Sequence, residues 1–190
     1  MNELHRRAGE RFNSVLRQAS GADWLRPTPC GDWNVRDLVH HVVSGNLWVP
    51  PLVHGETLDA VAPRLEGDIM GDDPVGVGLA STEVASAAFD ESGALERQVE
   101  LSRGPSPGFE YCAERMNDLA VHAWDLARAL GLEVELDSAC MSAAMEYYRP
   151  QEEEGRPAGM FGPPVEVAPE ADAQTRFLAF WGRRADWNPG

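Results

Sequence analysis

The chain is short of positive charge, of paired cysteines, of long apolar runs and of strand-like alternation, and each shortage removes a class of function. Sixteen basic residues against thirty-one acidic ones give a formal net charge of −15, a field that repels phosphate backbones and anionic lipid. Nucleic acid and membranes are therefore not expected partners. Cys30, Cys112 and Cys140 are scattered and form no Cys-x-x-Cys pair, which argues against a disulfide framework and for a reduced, cytoplasmic setting. No stretch approaches membrane-spanning length, and Met1 to Gln18 carries charges throughout, unlike a signal peptide. Strand-like alternation is confined to Leu132–Leu136 and Val165–Val167, and no internal repeat is present. With 43% hydrophobic residues in 190, the expectation is one domain, 1–190, with a core over about 2–148 and an extension over about 149–190.

What the chain does have is helical periodicity. Leu4, Ala8, Phe12, Val15, Leu16 and Ala19 share one face, predicting a first helix over about 2–20 that stops at Gly21 and the Pro27-Thr28-Pro29 run. Asn34 and Asp37 have capping-box spacing, so a second helix starts there, buries Val35, Leu38, Val39 and Val42, and is ended or kinked by Pro50-Pro51. Residues 54–75 read as a polar connection. A third helix is expected over about 77–91, with Leu79, Val84, Ala87 and Ala88 as its small apolar face. After the breaker-rich Arg103 to Gly108, the longest helix runs over about 109–130 and stops at Gly131. Short helices near 137–148 and 170–181 flank a Gly/Pro/Glu-rich loop over 150–164. The fold class expected is all-α, an antiparallel four-helix bundle with accessory helices and a Gly/Pro-rich tail.

Two of these helices carry a candidate metal-ligating set. Asp118 and His122 are spaced i and i+4, so a carboxylate and an imidazole stand on one face of one helix and can converge on one ion. On the second helix His41 lies about 60° from Leu38 at the edge of the buried stripe, whereas His40 turns about 100° further toward solvent; His41 is the better third donor. Three protein ligands on a borderline divalent cation leave room for water or substrate. An imidazole satisfied within the core and an ordinary helix ion pair would read the same way from spacing alone. Asp125 could orient a ligand imidazole, and Glu114 could serve as a base or alternative donor; a surface or packing role suits either as well. Cys30 and Cys112 read as small buried apolar residues, and Arg115 as a surface arginine. Gly76 to Ser81 lacks the lysine and preceding strand of a phosphate loop. The six tryptophans read as packing, with Trp48, Met160 and Phe161 as possible walls of a substrate pocket.

The segments Thr28-Pro29-Cys30-Gly31-Asp32-Trp33-Asn34-Val35-Arg36-Asp37-Leu38-Val39-His40-His41 and Asp118-Leu119-Ala120-Val121-His122-Ala123-Trp124-Asp125-Leu126-Ala127 resemble the DinB-like metal-binding proteins. They are most similar to the branch related to the N-terminal domain of mycothiol-dependent maleylpyruvate isomerase, as are Phe161-Gly162-Pro163-Pro164-Val165, Gln174-Thr175-Arg176 and Gly182-Arg183 in the tail. The resemblance implies a four-helix bundle and a divalent metal, usually zinc with nickel, iron or manganese as alternatives, on positions matching His41, Asp118 and His122. It further implies mycothiol as cosubstrate, a small-molecule substrate, and either a monomer or a homodimer. Two departures stand out: Asp118 replaces a glutamate, and the isomerase continues into a second domain that 190 residues are not expected to hold.

The implied function is a metal-dependent transferase or isomerase in which a thiolate attacks a small organic electrophile. Alternatives sharing the donors are a non-catalytic metal- or ligand-binding protein and a thiol-independent metal-dependent hydrolase or cyclase of specialised metabolism.

Overall fold

The computed structural model describes residues 1–157 and 162–188, so Met160 and Phe161 lie outside the described residues. Helix α1 (Asn2–Leu16) stops earlier than its apolar pattern suggests. Gln18 and Ala19 bond back three residues, to Val15 and Leu16, and Ser20 then exchanges hydrogen bonds with Asp23 to start a tight turn of 3-10 helix over Gly21–Leu25. The competing cap, not Gly21 alone, ends the helix. Helix α2 (Val35–Val53) begins at the expected box: Asn34 Oδ1 accepts from the Asp37 amide and Asp37 Oδ2 from the Asn34 amide. It runs through Pro50 and Pro51 instead of ending there. Both prolines sit in the last turns, and their carbonyls still accept from His54 and Glu56, so few helical bonds are lost.

The connection after α2 holds a single turn, α3 (Leu58–Val61), capped by Thr57. Helix α4 (Pro74–Asp90) starts earlier than expected because Asp73 caps it and proline suits a first helical position. Its buried face also differs from the expected one. Val84 and Ala87 are exposed, and the face turned inward is Gly78, Ser81, Thr82, Ala85, Ala88 and Phe89. The reason is polar: Asn46 Nδ2 donates to Ser81 Oγ (3.2 Å) and Thr82 Oγ1 (3.3 Å), while a Cβ at Gly78 would overlap Leu16. A pattern search for large apolar residues misses a face built from hydroxyls and glycine.

The one sheet among the described residues is the hairpin β1 (Gln98–Leu101) and β2 (Gly104–Pro107), the second strand falling in the segment read as breakers. Pro105 and Pro107 stand two residues apart, opposite Glu100 and Gln98, so their missing donors fall on one side of a strand with only one neighbour. The stretches with alternation, 132–136 and 165–167, form no strand. Helix α5 (Gly108–Ala129) follows the hairpin directly and ends as expected: Gly131 has φ +72°, and the Leu132 amide reaches the Ala127 carbonyl. Helix α6 (Ser138–Tyr148), the short turn α7 (Glu152–Gly155) and α8 (Ala173–Phe180) complete the chain. Of the four long helices, α1 packs on α4 and α5, α2 packs on α4 and α5, and α6 covers α1 and α5. No helix among the described residues is long and apolar enough to cross a membrane.

His5 of α1 is fully buried against Phe89, with Nδ1 3.2 Å from Ser86 Oγ. Burial first, and then Arg115, push its pKa from 6.5 down to about 3. The unfolded chain therefore takes up a proton that the fold refuses. Stability present above pH 6.5 is lost as the pH falls toward 3, at up to about 1.4 kcal/mol per pH unit. Between pH 6.5 and about 5, the urea midpoint of His5→Leu is expected to fall less steeply than that of the parent chain. Parallel curves would show that another group titrates.

Candidate metal centre

The loop into α2 is folded back on itself. Pro27 bridges Asn34, the Thr28 amide and hydroxyl both donate to the Trp33 carbonyl (3.0 and 2.9 Å), and Gly31 supplies the left-handed turn at φ +64°. This places Cys30 and Trp33 over the facing surface of α5. Six residues into α2 comes His41, whose Nε2 lies 3.3 Å from Asp118 Oδ1. On α5, His122 Nε2 lies 3.3 Å from the same oxygen, and the two imidazole rings meet edge-on at 5.0 Å. One ligand atom from each of His41, Asp118 and His122 lies within 4.8 Å of the others, so the three could hold a metal ion. His40, by contrast, turns away, its Nε2 3.1 Å from the Gly67 carbonyl.

The groups around these donors are charged and buried. Asp118 Oδ2 accepts from Arg115 Nη1 at 2.9 Å, which leaves Oδ1 facing the histidines. Arg115 is no surface arginine: it is buried between α5 and α2, donates to Asn46 Oδ1 (3.2 Å), and lies where a Cβ at Gly45 would overlap it. Burial by itself would raise the Asp118 pKa, but Arg115, followed by His122 and His41, holds it well below the usual carboxylate range. His122 Nδ1 lies 2.9 Å from Asp125 Oδ2. Burial would lower the His122 pKa, yet Asp118, then Asp125 and Cys30, raise it well above the ordinary imidazole value. Two carboxylates strong enough to charge a buried imidazole define a place where positive charge is favoured, which suits a cation.

Cys30 is not simply a buried apolar residue. Its Sγ lies 3.0 Å from Asp125 Oδ2, 3.8 Å from His122 Nδ1 and 3.5 Å from Arg183 Nη2. Cys30, His122 and Asp125 form a second set of converging donors, but Arg183 donates to both oxygens of Asp125 (3.2 and 2.9 Å) and puts a fixed positive charge there. The Asp118 side, with Oδ1 free of arginine, is the better cation site. Arg183 is aimed inward by the stop of α8, where Gly182 has φ +78° and the Arg183 amide reaches the Leu178 carbonyl. Cys112 is fully buried, and burial pushes its thiol up to about 12.

His41 and Asp118 line a cavity of about 410 Å³ walled by Tyr147, Tyr148, Trp181 and Asn117. Glu114 lines it too, bonded to Arg103 (2.5 Å) and not to either histidine. Trp48 does not line it and packs on the smaller apolar cluster with Val49 and Phe89; Trp33, with its ring 5.0 Å from that of His41, stands beside the donors instead. Arg115 and Arg183 carried signals in the sequence: the first is three residues before Asp118, the second follows a helix-stopping glycine.

These helices and this donor cluster define an all-α protein of DinB-like fold with a candidate metal centre. The likeness is to the crystal structure of the mycothiol-dependent maleylpyruvate isomerase, with TM-score 0.60 and 17% identity over 75% of this chain and 65% of that one. A histidine-to-alanine mutant of that enzyme gives 0.61 at 16% identity. The chain belongs to the Mycothiol maleylpyruvate isomerase N-terminal domain family, which matches residues 5–127. Two relatives from Mycobacterium tuberculosis, the uncharacterized proteins MT0763 (strain CDC 1551 / Oshkosh) and Rv0738 (strain H37Rv), are each 31% identical over 179 residues, covering 92% of this chain and 94% of theirs. The chain thus spans a little under two thirds of the isomerase's length.

Proposed function

We propose that this chain is a metal-dependent enzyme that uses a small-molecule thiol, mycothiol, to transfer to or isomerise a small organic electrophile, with His41, Asp118 and His122 holding one divalent ion, zinc by preference. The reading is carried by the convergence of two imidazoles and one carboxylate beside a half-open cavity, and family membership supports the thiol. When bound, the ion would supply Lewis acidity, lowering the pKa of a thiol or polarising a carbonyl. The chain's own residues prepare the donors. Asp125 accepts from His122 Nδ1, which would leave Nε2 as the nitrogen that meets a bound ion beside Asp118. Arg115 keeps Asp118 ionised and pins one oxygen so that the other faces the histidines. Trp33 lies against His41, with its ring 5.0 Å from the imidazole.

A thiolate delivered beside these donors adds to an activated double bond of the electrophile. Rotation and expulsion of the same thiolate give the isomer, whereas return of the proton that the thiol gave up to the resulting carbanion gives a thioether. Asp118 is one methylene shorter than the glutamate that the resemblance implies at this position, and a shorter carboxylate would shift the ion or weaken its binding.

Chelator-stripped protein reloaded with zinc is expected to turn over mycothiol with a generic electrophile such as chlorodinitrobenzene, and His41→Ala to lose that turnover. No turnover across several thiols, electrophiles and metals, with the ion bound, would favour a non-catalytic binding protein.

A further inference from the structure

The cavity beside the donors has a chemical bias of its own. Glu110, Glu114 and Asp118 stand at i, i+4 and i+8 along one side of α5, and all three line it. Two of these carboxylates are matched: Asp118 by Arg115 and Glu114 by Arg103. Glu110 forms no ion pair among the described residues. Across from it the lining is aromatic. Tyr147 and Tyr148 meet edge-on at 4.8 Å, and Tyr148 meets Trp181 edge-on at 5.0 Å. Asn117, only 7% exposed, lines the same cavity with its side-chain oxygen lacking a hydrogen-bond partner. Both arginines of the lining already face a carboxylate, so neither stands as an unmatched cation in the cavity.

We infer that the cavity takes an organic cation, an amine or quaternary ammonium compound, with its charged end at Glu110 among Tyr147, Tyr148 and Trp181. Aromatic faces and an unmatched carboxylate are the chemistry that recognises such groups. The rise along α5 from Glu110 to Asp118 is about 12 Å, so the ligand is elongated: its cationic end is anchored two turns from the donors, and the end that reaches them passes Asn117, the neighbour of Asp118, which can hydrogen-bond a polar group there. A dicarboxylate would bring further negative charge beside the unmatched Glu110 and is disfavoured. Only the placement of the far, reacting end rests on the proposed metal centre.

Titration calorimetry with benzyltrimethylammonium and phenylacetate, on zinc-loaded and zinc-free protein, tests this. The cation is expected to bind at least tenfold more tightly than phenylacetate in both forms. Glu110→Gln should reduce cation binding about fivefold or more with metal content unchanged, Tyr147→Leu should weaken it by a similar factor, and Glu10→Gln on the exposed face of α1 should leave it unaltered. Equal or tighter binding of phenylacetate, no binding of either probe, or a cation affinity indifferent to Glu110→Gln would overturn the inference. Absence of zinc by elemental analysis with the cation preference intact would overturn the metal reading alone.

Discussion

Replacing His122 with alanine is expected to abolish stoichiometric divalent metal, as read by elemental analysis of protein equilibrated with zinc and desalted. His122 joins three groups of the cluster: Asp118 at Nε2, Asp125 at Nδ1, and Cys30 within 3.8 Å. Its loss leaves one imidazole and one carboxylate, too few for a three-ligand site. The effect should exceed that of Asp125→Asn, which keeps the three donors but removes the partner that orients one of them; such changes weaken metal sites by roughly 10–100-fold. Far-UV circular dichroism separates metal loss from unfolding. Unchanged metal content in a folded His122→Ala protein would sink the assignment.

The second large effect concerns Arg115. Arg115→Met should destabilise the metal-free protein by about 3–5 kcal/mol, the usual cost of removing one partner from a buried ion pair. At this chain length that lowers the melting temperature by roughly 6–20 °C. Asp118 loses the guanidinium on Oδ2, and Asn46 Oδ1 loses its donor. The Asp118 pKa should rise, because Arg115 is its leading stabilising influence. Zinc should restore part of the lost stability by supplying the missing positive charge. A change below about 1 kcal/mol would mean that the pair behaves as a solvent-exposed one.

The strong local signals in the sequence led to the right places. The Asn34–Asp37 box, the length of α5 and its stop at Gly131 depend on neighbouring residues alone, and they appear where expected. Helical phase separates His41 from His40, and the fold brings His41, Asp118 and His122 together. What was hidden depends on partners distant in the chain. Arg115 looks like a surface residue until α2 covers it at Gly45. Cys30 looks apolar until Arg183, more than 150 positions later, arrives beside it. The face of α4 follows the amide of Asn46 instead of hydrophobicity, and β2 forms from a Gly/Pro run because its single partner strand tolerates missing donors.

The family match ends at residue 127, and all three donors fall inside it. A fragment cut to that boundary would look sufficient on paper, yet Asp125, which is fully buried, would then lie without the guanidinium of Arg183. Its charge would have only His122 and Cys30 for company, and α5 would also lose the cover of α6. A fragment that keeps this aspartate paired therefore has to extend to the turn after α8.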